Sequence, residues 1–424
     1  MRITFVTVDI PDPFTGGGGN WMTCYLEHLV DHHDLAMIAV VGKHQFDEQR
    51  TEKLRQGWAQ RGVRVETVAY DKQTPPTRAR RLRAMMGGDD LALLPDRATG
   101  PRIVPVVKAL APDILVAQSC VAAAYAADVT GVPKIAIQAE GYTVNLQTQL
   151  DFNPPQGIGP LYRAKQKRLI HATEQAEIRM LRGYDRLAYM GHHYVQWAHR
   201  HGLTQAVFLS TPVPEPSVTR QRPFNRESGR PFTALLIGHL HSTSNRTQLP
   251  LLVHDVLPAM ARHFTGIDWQ MRIVGRHNQV EPRYLKPLED HPNVDLVGPV
   301  FPPDDAFLNC DALFVPVPAK TGSRVRIVQG FAFGCPVVAH SANWLGIAEL
   351  AHGGNLLMGD TGDELARQLR LLHDDPAMGD RLGTAGRAIY DASYRPDYAA
   401  RLLEHLMRET WCDYHGRRAS DWTA

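Results

Sequence analysis

Short apolar runs recur along the first half of the chain, at Ile3–Val8, Leu35–Val41, Val63–Ala69, Ile114–Ala117, Ile135–Gln138 and Arg186–Tyr189. Their β-branched content and near-continuous apolarity predict strands covered on both faces. Longer stretches lie between them with apolar residues three and four apart, such as Trp21–Val30 and Ile170–Leu181, which predict helices. Strands alternating with helices imply a parallel sheet. Ser210–Pro231 then interrupts the rhythm with Pro212, Pro214, Pro216, Pro223 and Pro231, a composition that reads as a linker. Beyond it the pattern restarts, with strands expected at Thr233–Ile237, Gln270–Val274, Val294–Val297, Ala312–Val315 and Pro336–Ala339, and helices at Leu251–Phe264 and Asp363–His373. The expectation is two α/β units, 1–210 and 232–396, joined by 211–231. The closing stretch Tyr398–Trp411 is helical in pattern and could pack on either.

Composition narrows the classes. With 424 residues, two domains are the natural number, and 44% apolar residues suffice for two cores. A net charge of +2 argues against an electrostatic nucleic-acid binder. Only nine of the 46 basic residues are lysine, so local cationic sites should be fork-shaped arginines suited to phosphate or carboxylate. Five cysteines without a CxxC spacing suggest neither a disulfide framework nor a zinc site. The sequence shows no signal-peptide pattern and no membrane-spanning apolar run, so a cytoplasmic location is expected.

Two segments carry candidate chemistry. Residues 15–21 read TGGGGNW, between the first expected strand and the first expected helix, which the run opens. Gly16, Gly17, Gly18 and Gly19 would leave backbone N–H groups bare for an anion or sugar. The spacing is neither a dinucleotide fingerprint nor a Walker loop, because Trp21 stands where a third glycine is needed and no Gly-Lys-Ser/Thr follows. A flexible surface loop is the alternative. The second segment runs from Lys320 to Ala339. Here Thr321, Gly322 and Ser323 form a loop after a strand, Arg324 to Phe333 is expected to be a helix, and Gly334 closes it. Arg324 and Arg326 in a first turn would oppose the helix dipole unless an anion lies there. Gln329, one turn past Arg326, could reach a hydroxyl.

This second segment resembles the carboxy-terminal signature of glycosyltransferase family four. Gly322-Ser323-Arg324-Val-Arg326-Ile-Val-Gln329, followed by Ala332, Gly334 and Pro336-Val337-Val338, is similar to that family's Gly-Thr-Arg-x-Lys-x-x-Glu pattern. The likeness extends over about Phe232–Arg395, through Gly238-His239, Asn245-Arg246, Ile273-Val274-Gly275, Asp311–Pro316 and Ser341–Gly346. Before that it rests mainly on the glycine run. The resemblance implies a GT-B architecture, two Rossmann-like parallel-sheet domains facing a central cleft, with the helix within 397–424 returning to the first. It implies a retaining hexosyltransferase using a nucleotide-diphosphate sugar as co-substrate, with no other cofactor and no metal. Arg324 and Arg326 would neutralise the diphosphate, and Gly16–Gly19, His239, Asn245, Arg246, Gly275, Thr321, Gly322, Ser323 and Gln329 would line the donor site. Two positions depart from the pattern: Gln329 and Thr321 stand where relatives carry glutamates, one holding the ribose and one the donor sugar.

Within the first unit, Glu140 follows an expected strand. It could orient an acceptor or take its proton, or simply cap a helix. The run Thr77–Arg83 is basic at helical spacing and reads first as a solvated face, with anionic lipid or an acidic acceptor as its alternative. His32-His33, His192-His193 and His239-Leu-His241 lack carboxylates at ligand spacing, so no metal is expected. A soluble small-molecule acceptor is expected, as in specialised-metabolite or antibiotic biosynthesis. A nucleotide-sugar epimerase or hydrolase, a catalytically silent sugar-nucleotide binder, and a lipid or polysaccharide transferase stand as alternatives. The base, the sugar, the acceptor nucleophile and the oligomeric state, a homodimer included, stay open.

Overall fold

The computed structural model describes residues 1–12, 17–42, 47–71, 77–86, 93–152, 154, 159–220 and 229–416. The chain divides into two compact units, Met1–Pro212 with Pro396–Ala424, and Val213–Arg395.

The first unit is built on a seven-stranded, wholly parallel sheet. Its strands are β1 (Arg2–Val8), β2 (Asp34–Val41), β3 (Val63–Ala69), β4 (Ile114–Gln118), β5 (Lys134–Gln138), β6 (Arg186–Tyr189) and β7 (Ala206–Phe208). They lie in the order β3-β2-β1-β4-β5-β6-β7. The second unit holds β8 (Phe232–Ile237), β9 (Trp269–Val274), β10 (Val294–Gly298), β11 (Ala312–Val315), β12 (Val337–His340) and β13 (Leu357–Gly359), in the order β10-β9-β8-β11-β12-β13. All the pairings are parallel. Eleven of these strands coincide with apolar runs of the sequence. The other two, β7 and β13, are three-residue edge strands too short to show a pattern.

Each strand order reverses once, between β1 and β4 and between β8 and β11. In an open α/β sheet the crevice at the carboxyl ends of the strands, at such a reversal, is where ligands bind. The residues after β8 and β11 therefore matter most in the second unit.

The helices that position functional side chains are α1 (Gly17–Leu29), α2 (Arg78–Met85), α3 (Tyr142–Phe152), α4 (Pro160–Leu181), α5 (Val325–Phe333) and α6 (Pro396–His415). Helix α1 starts at Gly17, within the glycine run expected to open the first helix and four residues ahead of the expected segment Trp21–Val30. Gly17, Gly18 and Gly19 form its first turn, while Gly16 lies outside the described residues. Each glycine costs a helix about 1 kcal/mol. Burial of Trp21, Met22, Tyr25, Leu26 and Leu29 under the sheet outweighs this, at about 1.5–3 kcal/mol per large side chain. Helix α6 packs on α1, with Ala399, Ala400, Leu403 and Met407 in the same core.

The proline-rich stretch is not loose at its start. The Val213 N–H donates to the Tyr394 carbonyl at 3.1 Å, and Arg220 is buried with its N–H on the Phe333 carbonyl at 3.0 Å. Residues 213–220 thus belong to the second unit, and 221–228 lie outside the described residues.

Candidate active site

The donor-side candidate forms where β8 and β11 end. Strand β8 runs into Gly238 and β9 into Gly275, both with positive φ, +125° and +146°. These turns touch: a Cβ on Gly275 would sit 2.4 Å from the Gly238 carbonyl oxygen, and one on Gly238 would sit 3.2 Å from Arg326 Nη2 and 2.9 Å from Asn245 Nδ2. Only glycine permits both the conformation and the approach. The carbonyl of His239 is held by Asn245 Nδ2 at 2.8 Å, and His239 Nδ1 accepts the Arg276 N–H at 3.1 Å. The His239 and His241 rings stack 5.7 Å apart. Burial, then Arg276, His241 and Arg326, lowers the pKa of His239, which keeps it neutral near pH 7.

Across the reversal, the segment after β11 carries the arginine pair. The sequence expectation of a helix beginning at Arg324 is corrected here. Arg324 is the left-handed residue before α5, with φ +54°, and the helix starts at Val325. A non-glycine residue is held this way only by its surroundings. Arg324 Nη1 donates to Ser244 Oγ at 2.8 Å and its Nη2 bonds the Ala319 carbonyl. Helix α5 is fixed by burial of Ile327, Val328, Phe331 and Ala332, and it ends at Gly334 in the left-handed conformation.

Arg326 differs. It makes no hydrogen bond or ion pair with a described residue, and its Nη1 is fully enclosed. Burial, with the Arg324 charge added, lowers its pKa to about 9. No carboxylate acts on it among the described residues. A buried cation facing a second cation with no counter-charge is costly, and native proteins keep such arrangements where a ligand supplies the missing charge. Other enclosed acceptors and donors lie on the same segments: Asn245 Oδ1, Asn343 Oδ1, His241 Nδ1 and both carboxamide atoms of Gln248 have no partner among the described residues. This donor set is suited to a polyanion bearing hydroxyls and a polar ring.

The other expected donor residues lie on the segments that follow β8 and β11. Thr321 and Ser323 are buried, Gly322 has φ +82°, and Gln329 lies half-buried one turn along α5. Arg246 ends a single helical turn, Thr243–Arg246, and is half-buried. Ser244 and Gln248 were not singled out by sequence reasoning. Neither belongs to a motif, and only the fold brings Ser244 to an arginine 80 positions away.

In the first unit, Glu140 Oε1 accepts from Asn145 Nδ2 at 2.9 Å, but the N–H groups that open α3 do not go to it. Glu177, fully buried on α4, takes them: Tyr142 N at 2.6 Å, Thr143 N at 2.9 Å and Thr143 Oγ1 at 2.6 Å. Burial raises its pKa against those hydrogen bonds. Gln138 ends β5, opposite Tyr189 of β6 in register. The Gln138 carboxamide and the Tyr189 hydroxyl are enclosed and without partners among the described residues. In the two histidine pairs of the first unit, His33 meets Glu404 at 3.2 Å and His192 stacks on Phe208. Among the described residues, no three His, Cys, Asp or Glu side chains gather as a metal site. All five cysteines are free and buried.

Residues 231–375 match the family model described as Glycosyl transferases group 1, a span that contains every donor-side residue above except the glycine run. The second unit of this chain is a group 1 glycosyltransferase domain. Glycosyl transfer is accordingly the chain's class of chemistry. Solved structures agree over nearly the whole length. Sucrose-phosphate synthase from Thermosynechococcus elongatus superposes with a TM-score of 0.68 at 15% identity, covering 97% of this chain and 99% of that one. HepE of Anabaena, solved in complex with UDP and glucose, gives 0.64 at 17% identity, with 96% and 98% covered. A variant of S. aureus TarM in complex with Fondaparinux, alpha-GlcNAc-glycerol and UDP gives 0.66 at 10% identity, with 96% and 99% covered. At these identities the likeness is one of fold, and the fold is GT-B. No curated protein matches the chain. Among the described residues, no helix is long and apolar enough to cross a membrane.

Proposed function

We propose that this glycosyltransferase moves a sugar from a uridine-diphosphate donor to an uncharged, hydroxyl-bearing acceptor. The observation that carries the reading is the guanidinium of Arg326, its Nη1 enclosed and without a partner among the described residues, beside Arg324 at the β8/β11 reversal. A diphosphate is the ligand class that answers two adjacent arginines. The UDP complexes of HepE and TarM support uridine as the base.

Departure of the diphosphate leaves negative charge on its oxygens. Arg326 and Arg324 stabilise that charge, and their rigid placement means no reorganisation is needed as it develops. Gln329 holds the ribose through neutral hydrogen bonds, weaker than a carboxylate would make. Gln138 and Tyr189 offer a neutral amide and hydroxyl without partners among the described residues, groups suited to the hydroxyls of a polyhydroxylated acceptor. Retention at the anomeric carbon and independence of metal follow from the resemblance to family four.

The test is UDP release from a panel of UDP-sugars with and without polyol and saccharide acceptors, with the product anomer read by NMR. The proposal expects release that depends on acceptor and an α-linked product from an α-linked donor. UDP or an altered sugar formed from donor alone would point to a hydrolase or epimerase. Tight binding with no turnover across the panel would point to a silent binder.

A further inference from the structure

One surface of the first unit is unlike the rest of the molecule. Elsewhere, exposed arginines commonly have carboxylate partners, as Arg55 with Glu52, Arg61 with Glu27 and Arg401 with Asp397. On α2, Arg78, Arg81 and Arg83 are exposed and make no ion pair with a described residue. On the first turns of α4 the same holds for Arg163, Lys165, Lys167 and Arg168. The two helices touch, and Ala84, Leu169 and Ala172 join one core cluster beneath them. Residues 77–86 and 159–173 contain no Asp or Glu. Asp89 and Asp90, next in sequence, lie outside the described residues.

The same surface exposes large apolar side chains. Leu161 is 88% exposed, Met86 74% and Leu82 56%, with Tyr162 and Phe152 also open. Exposed apolar residues scattered singly need no explanation, but these five are among the eleven large exposed ones in the described chain, and they lie on three neighbouring helices or, for Met86, one residue past the end of α2. Basic residues interleaved with Leu, Met, Tyr and Phe match the two parts of a bilayer surface. The cations meet phosphate headgroups, and the apolar and aromatic side chains enter the acyl boundary. A nucleic acid would use the arginines and leave Leu161 and Met86 in water.

We propose that the α2/α4 surface docks the protein on a membrane rich in anionic phospholipid. Attachment is peripheral, through side chains that already point outward, and is independent of donor chemistry. A membrane-proximal or lipid-linked acceptor then becomes more accessible to the enzyme than a freely diffusing one.

The experiment is flotation of the full-length chain with vesicles of phosphatidylcholine alone or with about one-third phosphatidylglycerol. Binding is expected only to the anionic vesicles, and to weaken roughly tenfold between about 0.1 M and 0.5 M salt. Arg81→Glu with Lys167→Glu should reduce partitioning at least tenfold, following the roughly fivefold contribution expected per basic residue, and separately Leu161→Ser with Met86→Ser should do so at least tenfold through lost apolar insertion. These side chains are exposed, so melting temperature and UDP binding should not change. Equal binding to neutral vesicles, no partitioning at all, or variants that float like the parent would overturn the proposal. So would duplex DNA binding that survives Leu161→Ser with Met86→Ser, or a dimer that buries this surface.

Discussion

Arg326→Met is expected to raise the melting temperature of the ligand-free protein while removing most of its affinity for UDP. The two effects share one cause. In the folded protein the Arg326 charge is enclosed beside Arg324, and burial, with the Arg324 charge added, lowers its pKa to about 9. At 1.36 kcal/mol per unit the full depression amounts to several kcal/mol. The residue keeps some exposure, and solvent screening reduces the expected gain from methionine to about 1–2 kcal/mol. This should appear as an increase of a few degrees. The pH dependence has a definite sign. Between about 9 and the ordinary arginine range the unfolded state binds more protons at this residue than the folded state, so its contribution to stability rises with pH there. The advantage of Arg326→Met over the parent is thus full below about 9 and shrinks above it. UDP affinity, measured by calorimetry, should fall about 30- to 1,000-fold, the range expected when one partner of a buried charge pair is removed. Turnover should fall by a further factor of about 100 or more. An unchanged melting temperature together with unchanged affinity would show that Arg326 faces no ligand.

Gly275→Ala is expected to destabilise the second unit by about 3–5 kcal/mol, among the largest costs for a single methyl group. At φ +146° an L-residue is strained, at about 1–3 kcal/mol. Its Cβ would also lie 2.4 Å from the Gly238 oxygen and 2.6 Å from the Gly238 carbon. Both are backbone atoms and cannot rotate away. Relief requires moving the 238–239 turn, which carries the carbonyl that Asn245 holds and the face against which Arg326 lies. UDP affinity should therefore fall with stability. Gly202→Ala is the control: φ is +74° but nothing lies within 4 Å of the added carbon, so only the left-handed cost of about 1–2 kcal/mol applies. Urea unfolding followed by circular dichroism compares the two. Similar costs for both would mean that the Gly238–Gly275 contact does not constrain the fold.

Much of the architecture was legible because buried parallel strands write themselves as continuous apolar runs. Eleven strands, from Arg2–Val8 to Val337–His340, coincide with such runs. The glycine run opens the first helix as its position suggested, but local cost alone, without the packing that follows, did not show that its glycines form the first turn ahead of Trp21. Trp21, Tyr25 and Leu29 anchor α1, and the helix extends back over Gly17. Arg324 misled. Nothing in its residue type favours a left-handed conformation, and only Ser244 and the Ala319 carbonyl, brought in by the fold, hold it there. Glu177 caps a helix 35 positions earlier, so no local pattern could have marked it. The order of motifs from Gly238 to Gly346 was readable as a family resemblance. That Arg326 stands without a counter-charge among the described residues was not, since a sequence does not show which carboxylates stay away.

The most direct test of the account is a calorimetric titration of the unmodified protein with UDP and with UMP at one salt concentration. If the arginine pair exists to meet a diphosphate, UDP should bind at least about tenfold more tightly, since one charge-assisted contact contributes roughly 1.5–3 kcal/mol. Equal affinities for UDP and UMP would contradict it.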